Sequence, residues 1–225
     1  KINYNRRVPK AKIFELGMTY IPVENQKLPD EKIVVALGMY GDVDFFDLKG
    51  IVQNLLDDLG IKNAEFEADT ESPAYHPGRC AKICAGGKII GTIGQLHPDI
   101  AENFKLDTDI YCGELDFNTI MEFSTFEREY KSLPKFPASN RDIALVIDKS
   151  ISVGKIEKIL NDTKHGILES YKLFDVYEGQ QVGENKKSVA YSLTFRAPDR
   201  TLTDNEINDV LNNICLLYTS PSPRD

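Results

Sequence analysis

The chain has 225 residues, 41% of them hydrophobic and 28% charged, with a formal net charge of −8. That length holds one large domain or two ordinary ones, and the composition is that of a soluble globular protein. The acidic balance argues against non-specific DNA binding, no apolar run approaches the ~18 residues of a membrane span, and no signal peptide is evident. The first residues, KINYNRRVPK, lack an initiating Met and lead within a dozen positions into a strand pattern, so an N-terminal truncation is expected.

Residues 12–21 (KIFELGMTYI) alternate like a strand, and 32–40 (KIVVALGMY) read as a second, more buried one. Residues 42–46 form a loop, with Asp47 a candidate helix N-cap. Leu48, Ile51, Val52, Leu55, Leu56 and Leu59 then fall at helical spacing, and Gly60 ends the helix. Residues 64–68, 79–85, 88–96 and 111–116 are strand-like, 73–78 a turn, and Gly86-Gly87 a tight hairpin signal. Pro98 opens a short helix, where a missing N–H costs nothing. Strands crowded together without intervening helices predict an antiparallel sheet with flanking helices.

Four cysteines occur, Cys80, Cys84, Cys112 and Cys215, with no CxxC pair, as in a reduced intracellular chain. His76, Cys80 and Cys84 invite a metal reading. Four residues along a strand span ~13 Å, however, too far for two ligands of one zinc ion. His76, His97 and His165 each sit beside Pro or Gly, as turn residues do.

Residues 127–139, with two prolines and no clear period, read as a linker. Beyond it the pattern is strand, helix, strand, strand, helix. Ser152 is placed to cap the first helix, and Thr203 with Glu206 forms a capping box for the second. A βαββα series wants one more strand to complete a ferredoxin-like unit. Instead the helical stripe stops after Ile214 and the text becomes CLLYTSPSPRD, which reads as a foreign or flexible end. Charge is also uneven. Residues 1–132 carry 15 basic and 22 acidic side chains, whereas residues 133–214 carry 11 and 12. The second half is near neutral and can still gather cations on one face.

The stretch 141–202 carries two strand patterns that alternate apolar with small or polar positions. Ile143, Leu145 and Ile147 point one way, and Asp142, Ala144 and Val146 the other. Val189, Tyr191, Leu193 and Phe195 form the apolar set of a later strand, with Ser188, Ala190, Ser192, Thr194 and Arg196 opposite. A sheet covered on one face and left flat and polar on the other is suited to hold RNA, whose sequence is read on splayed bases by stacking and edge hydrogen bonds. Asp175 offers an acceptor for a guanine edge, and Tyr177, two residues on, a stacking surface. Each also has a plain structural reading: Tyr177 as strand-end packing, Asp175 as a partner for turn backbone or an arginine.

The phrases SNRDIALVID and LFDVYEGQQVGENKKSVAYSLTFRAPDRTLTDNEIND resemble the anticodon-binding domain of the bacterial phenylalanyl-tRNA synthetase β subunit. FELGMTYI, FDLKGIVQNLLDDLGI, HPGRCAKI and GGKIIGTIGQLHPDI are similar to the module before it in that family. The resemblance covers nearly all of residues 10–214 and implies an α+β chain. Residues 1–130 would be an antiparallel-sheet module like a class II synthetase core but catalytically inactive. Residues 131–214 would be a ferredoxin-like βαββα(β) domain lacking its last strand, and 215–225 a non-native or disordered tail.

It further implies a cytoplasmic α2β2 ligase that joins phenylalanine to tRNA(Phe) using ATP and Mg2+, with the active site in the α subunit. On that view this fragment has no catalytic residue, binds no metal or cofactor itself, touches neither DNA nor membrane, and has tRNA(Phe) and the α subunit as partners. The family's anticodon contacts fall on Ala144, Asp175, Tyr177 and Ser188. Arg141, Lys187, Arg196 and Arg200 are weaker candidates for phosphate contacts, with solvated surface as their plain alternative. The alternative function is a stand-alone module that grips a protein partner with the same sheet and binds no RNA.

Overall fold

A computed structural model describes residues 1–219 apart from 129, 131, 164 and 165, and leaves aside the side chains of 163 and 215–219. The chain divides into two compact units, Lys1–Glu129 and Tyr130–Asp225. His165 and residues 220–225 lie outside the described residues. No helix among the described residues is long and apolar enough to cross a membrane.

Unit 1 opens with a short helix α1 (Ile2–Asn5), which the sequence pattern did not signal. A six-stranded sheet follows: β1 (Ala11–Ile21), β2 (Asp30–Tyr40), β3 (Glu65–Ala68), β4 (Tyr75–Ala85), β5 (Lys88–Leu96) and β6 (Ile110–Asp116), in the order β1-β2-β6-β5-β4-β3. Every neighbouring pair is antiparallel, as expected. Residues 73–78, expected as a turn, are partly strand: β4 already pairs at Tyr75 with Leu96. The Gly86-Gly87 turn has φ of 55° and 79°, the doubly left-handed turn that matches strand twist.

Helix α2 (Phe45–Asp58) buries Leu48, Val52 and Leu56, the stripe read from the sequence. Its N-cap is Asp44 rather than Asp47. Asp44 accepts from the Asp47 N–H, and Asp47 reaches back to the Asp44 N–H at 2.8 Å, so both residues form one reciprocal box. The helix ends in a Schellman motif, with Gly60 N–H on Asp57 and Ile61 N–H on Leu56. Gly60 has φ of 79°, and a Cβ there would collide with the Thr125 carbonyl. Helices α3 (Pro98–Asn103) and α4 (Phe117–Phe123) complete the unit; α4 was not anticipated. One face of the sheet packs on α2 and α4 through Ile83, Ile90, Ile93, Leu115 and Ile120. At the free edge, β1 leaves Ile13, Phe14, Leu16, Met18 and Tyr20 exposed.

Unit 2 contains β7 (Ser139–Asp148), α5 (Val153–Thr163), β8 (Leu168–Tyr177), β9 (Lys186–Phe195) and α6 (Asp204–Thr219). This is the expected βαββα series. The described sheet is three-stranded and antiparallel, in the order β7-β9-β8. One face is covered by α5 and α6, with Leu145, Ile147, Ile156, Leu160, Val189, Tyr191, Leu193, Phe195, Ile207 and Ile214 in the core. Burying each such side chain is worth roughly 1.5–3 kcal/mol. The capping box is present: Glu206 accepts from the Thr203 N–H at 2.9 Å, and Thr203 accepts from the Glu206 N–H at 3.5 Å. Helix α6 does not stop at Ile214 as expected but continues to Thr219. Residues 215–219 contain neither Gly nor Pro, so a helix already nucleated propagates through them.

Candidate nucleic-acid interface

The face of unit 2 opposite the helices is built from the outward residues of three strands. On β7 the alternation is regular: Leu145 and Ile147 are buried, Ala144 and Val146 exposed. On β9 every second residue from Val189 to Phe195 is buried, and Ser188, Ala190, Ser192 and Thr194 lie opposite. The cross-strand register then aligns three open rows: Asp142–Ser192–Lys172, Ala144–Ala190–Asp175 and Val146–Ser188–Tyr177. Ala144, Asp175, Tyr177 and Ser188 therefore lie in two adjacent rows of one face.

Strand β8 reaches this arrangement only through an irregularity. Tyr171 and Leu173 pair with Leu193 and Tyr191, so they face the helices. Unbroken alternation would send Asp175 and Tyr177 the same way. The register shifts between Leu173 and Asp175, where two residues of β8 oppose one of β9. The extra residue is Phe174, and from Asp175 onward the phase is reversed. Asp175 thus opposes Ala190, and Tyr177 opposes Ser188, both on the open side.

Tyr177 is 43% exposed. Its phenol lies against Gly179, where a Cβ would run into the ring and hydroxyl. Gly179 is extended, with φ of −171°, so its use is space rather than backbone freedom. Among the described residues no hydrogen bond or ion pair engages the Asp175 carboxylate. Its oxygens are open to an external donor.

The four basic candidates are placed differently. Arg141 opposes Leu193 and so lies on the helix side, ion-paired with Asp204 at 2.6 Å. Lys187 opposes Ile147, again on the helix side, and donates to the Lys149 carbonyl at 3.2 Å. Arg196 donates to Glu169 at 2.9 Å and to the Phe136 carbonyl at 2.7 Å. Arg200 is held by Asp199 and Glu206. The cation in the open rows is Lys172, and Lys186, opposite Asp148, also points to that side. Strand parity alone would have found Lys186. Phe174, 55% exposed, was also missed, because nothing in LFDVY marks a bulge.

In unit 1, Cys80 and Cys84 share β4, and His76 accepts from the Gly78 N–H at 3.0 Å. Burial pushes the Cys80 and Cys112 thiols up to about 11, so they stay protonated near neutrality and are poor metal ligands. No group of three His, Cys, Asp or Glu side chains converges among the described residues. The sheet face opposite α2 carries the row Ala36–Glu114–Thr92–Lys82, and Lys82 is ion-paired with Asp69 at 3.3 Å.

Residues 1–117 match the family model described as phenylalanyl tRNA synthetase beta chain CLM domain, and residues 134–218 match the ferredoxin-fold anticodon binding domain. The chain is 44% identical to the phenylalanine–tRNA ligase beta subunit of Clostridium tetani, over 94% of this chain and 27% of that protein. It is 43% identical to that of Clostridium acetobutylicum, over 94% of this chain and 27% of the relative. The Bacillus subtilis subunit is 35% identical, over 92% and 27%. The chain thus spans about a quarter of the length of these relatives.

Proposed function

The chain belongs to the phenylalanyl-tRNA synthetase β-chain family, and from that premise we propose that unit 2 binds the anticodon loop of tRNA(Phe). The observation that carries this reading is the pair of adjacent open rows. Asp175 accepts from the N–H groups of a guanine edge, and Tyr177 stacks on the base. Ala144 and Ser188 keep the floor low enough for close approach. Lys172 and Lys186 are the better placed cations for phosphate. Arg141, Lys187, Arg196 and Arg200 already donate to Asp204, the Lys149 carbonyl, Glu169 with the Phe136 carbonyl, and Asp199 with Glu206, which makes them weaker candidates. The match to an anticodon-binding domain favours this reading over a protein-gripping sheet.

Unit 1 is proposed to be a non-catalytic, class II-like module that docks with an α subunit in a cytoplasmic α2β2 assembly. Its support is the apolar flank of β1, a surface of the kind that marks interaction sites. The sheet row carrying Lys82 favours the non-catalytic role, since that cation is ion-paired with Asp69 and the row's other charge, Glu114, is acidic and would repel a triphosphate. ATP and Mg2+ would be used by the α subunit.

The test is binding of a labelled anticodon hairpin to the chain. Asp175→Ala and Tyr177→Ala are each expected to lose ~1–3 kcal/mol, the range for single stacked bases. Affinity should also fall with salt, as phosphate contacts require. Wild-type affinity in both variants would overturn the site.

A further inference from the structure

We propose that Phe174 is a second nucleobase-stacking subsite, taking a base next to the one held by Asp175 and Tyr177. The proposal rests on the anticodon reading and extends it. A bulge places two consecutive side chains on roughly the same side of a strand. Here those two are Phe174 and Asp175, opposing Ala190 between them. An aromatic plane and a free carboxylate thus emerge from neighbouring Cα atoms. Phe174 is 55% exposed, although the same strand buries Leu168 on the helix side. The row it stands beside continues through Ala190 and Ala144, so no bulk across the sheet covers the ring.

Phe174 and Tyr177 are three residues apart, ~10 Å along a strand. Stacked bases rise by ~3.4 Å, so one base cannot serve both rings. Two splayed bases can, which is the conformation in which single-stranded RNA is read. The surroundings favour RNA over an apolar protein partner. Ser192, Ser188, Asp175 and Lys172 hem the ring with polar groups, and Lys172 lies one row away, where the phosphate of a base on Phe174 would pass.

The experiment measures binding of the 225-residue chain to an RNA hairpin with guanine at the first anticodon position, and to hairpins with one abasic nucleotide at each anticodon position. Phe174→Leu keeps the bulge and an apolar side chain but removes the plane; Phe174→Trp keeps the plane. The expected result is a loss on the order of tenfold for Phe174→Leu and near wild-type affinity for Phe174→Trp. One abasic position should weaken wild type and Tyr177→Ala but cause no further loss in Phe174→Leu, which a merely structural role would not produce. Wild-type binding by Phe174→Leu, with Tyr177→Ala weakened, overturns the second subsite and leaves the anticodon reading standing. Wild-type binding by both variants overturns the two together. Unchanged melting of Phe174→Leu excludes misfolding as the cause of a loss.

Discussion

At the scale of residues, side-chain direction separates candidates that composition cannot. Arg141 and Lys187 have the right charge, but their neighbours Leu193 and Ile147 place them on the helix side. Lys172 and Lys186 share the same charge and lie on the open side. Ala144 and Ser188 were placed correctly by alternation, because β7 and β9 are regular there. Gly179 acts on Tyr177 by leaving room for its ring. Gly179→Ala needs no backbone change, so melting should shift by no more than an ordinary surface substitution, within ~0.5 kcal/mol. The displaced phenol should nonetheless cost hairpin affinity by ~1 kcal/mol, within the range for one stacked base. Titration of the variant beside Tyr177→Ala checks this; an affinity equal to wild type would mean that the ring position is immaterial.

At the scale of elements, caps and periods were legible and the bulge was not. The α2 stripe and the Thr203–Glu206 box follow from local rules that act over four to eight residues. The bulge is set by how β8 meets β9, a long-range matter, so alternation within LFDVY gave the relation between Asp175 and Tyr177 but not their common side. Removing Phe174 from the chain should abolish the bulge yet leave Asp175 and Tyr177 on the open face, because Asp175 would then follow the helix-facing Leu173 directly in ordinary alternation. The expected outcome is hairpin affinity close to that of Phe174→Ala, since both changes remove the ring and leave the Asp175 and Tyr177 pair facing outward. Hairpin titration of the deletion beside Phe174→Ala, which keeps the bulge, separates bulge from side chain; an affinity far below that of Phe174→Ala would show that the bulge itself positions the pair.

The α6 cap carries its own pH signature. The Thr203 N–H, then Arg200 and the Thr203 hydroxyl, lower the Glu206 carboxyl from 4.5 to about 2. A carboxylate depressed on folding stabilises the fold above its unfolded value and loses that contribution as pH falls through the folded one. Stability of unit 2 should therefore decline from pH 4.5 toward about 2, and the decline should be shallower in Glu206→Gln. Parallel melting curves across that window would refute this account of the cap.

At the scale of the molecule, each core is drawn from one unit. Ile93 belongs to the first cluster and Leu193 to the second, with no residue common to both. A single unfolding free energy is then a poor description of the chain. Ile93→Ala and Leu193→Ala should each cost ~2–5 kcal/mol and shift different transitions in calorimetry. Equal displacement of one common transition by both would show a single cooperative unit. The outer rim of unit 1 has a further consequence. β1 offers eleven residues of edge with large apolar side chains on it, and an edge of that kind accepts any extended chain, including another copy of itself. Leaving that rim uncovered is therefore hazardous by geometry: stickiness becomes a matter of how much of the chain is present at once. Light scattering by the isolated chain should climb with concentration, and Leu16→Lys, a charge set into that rim, should hold it down.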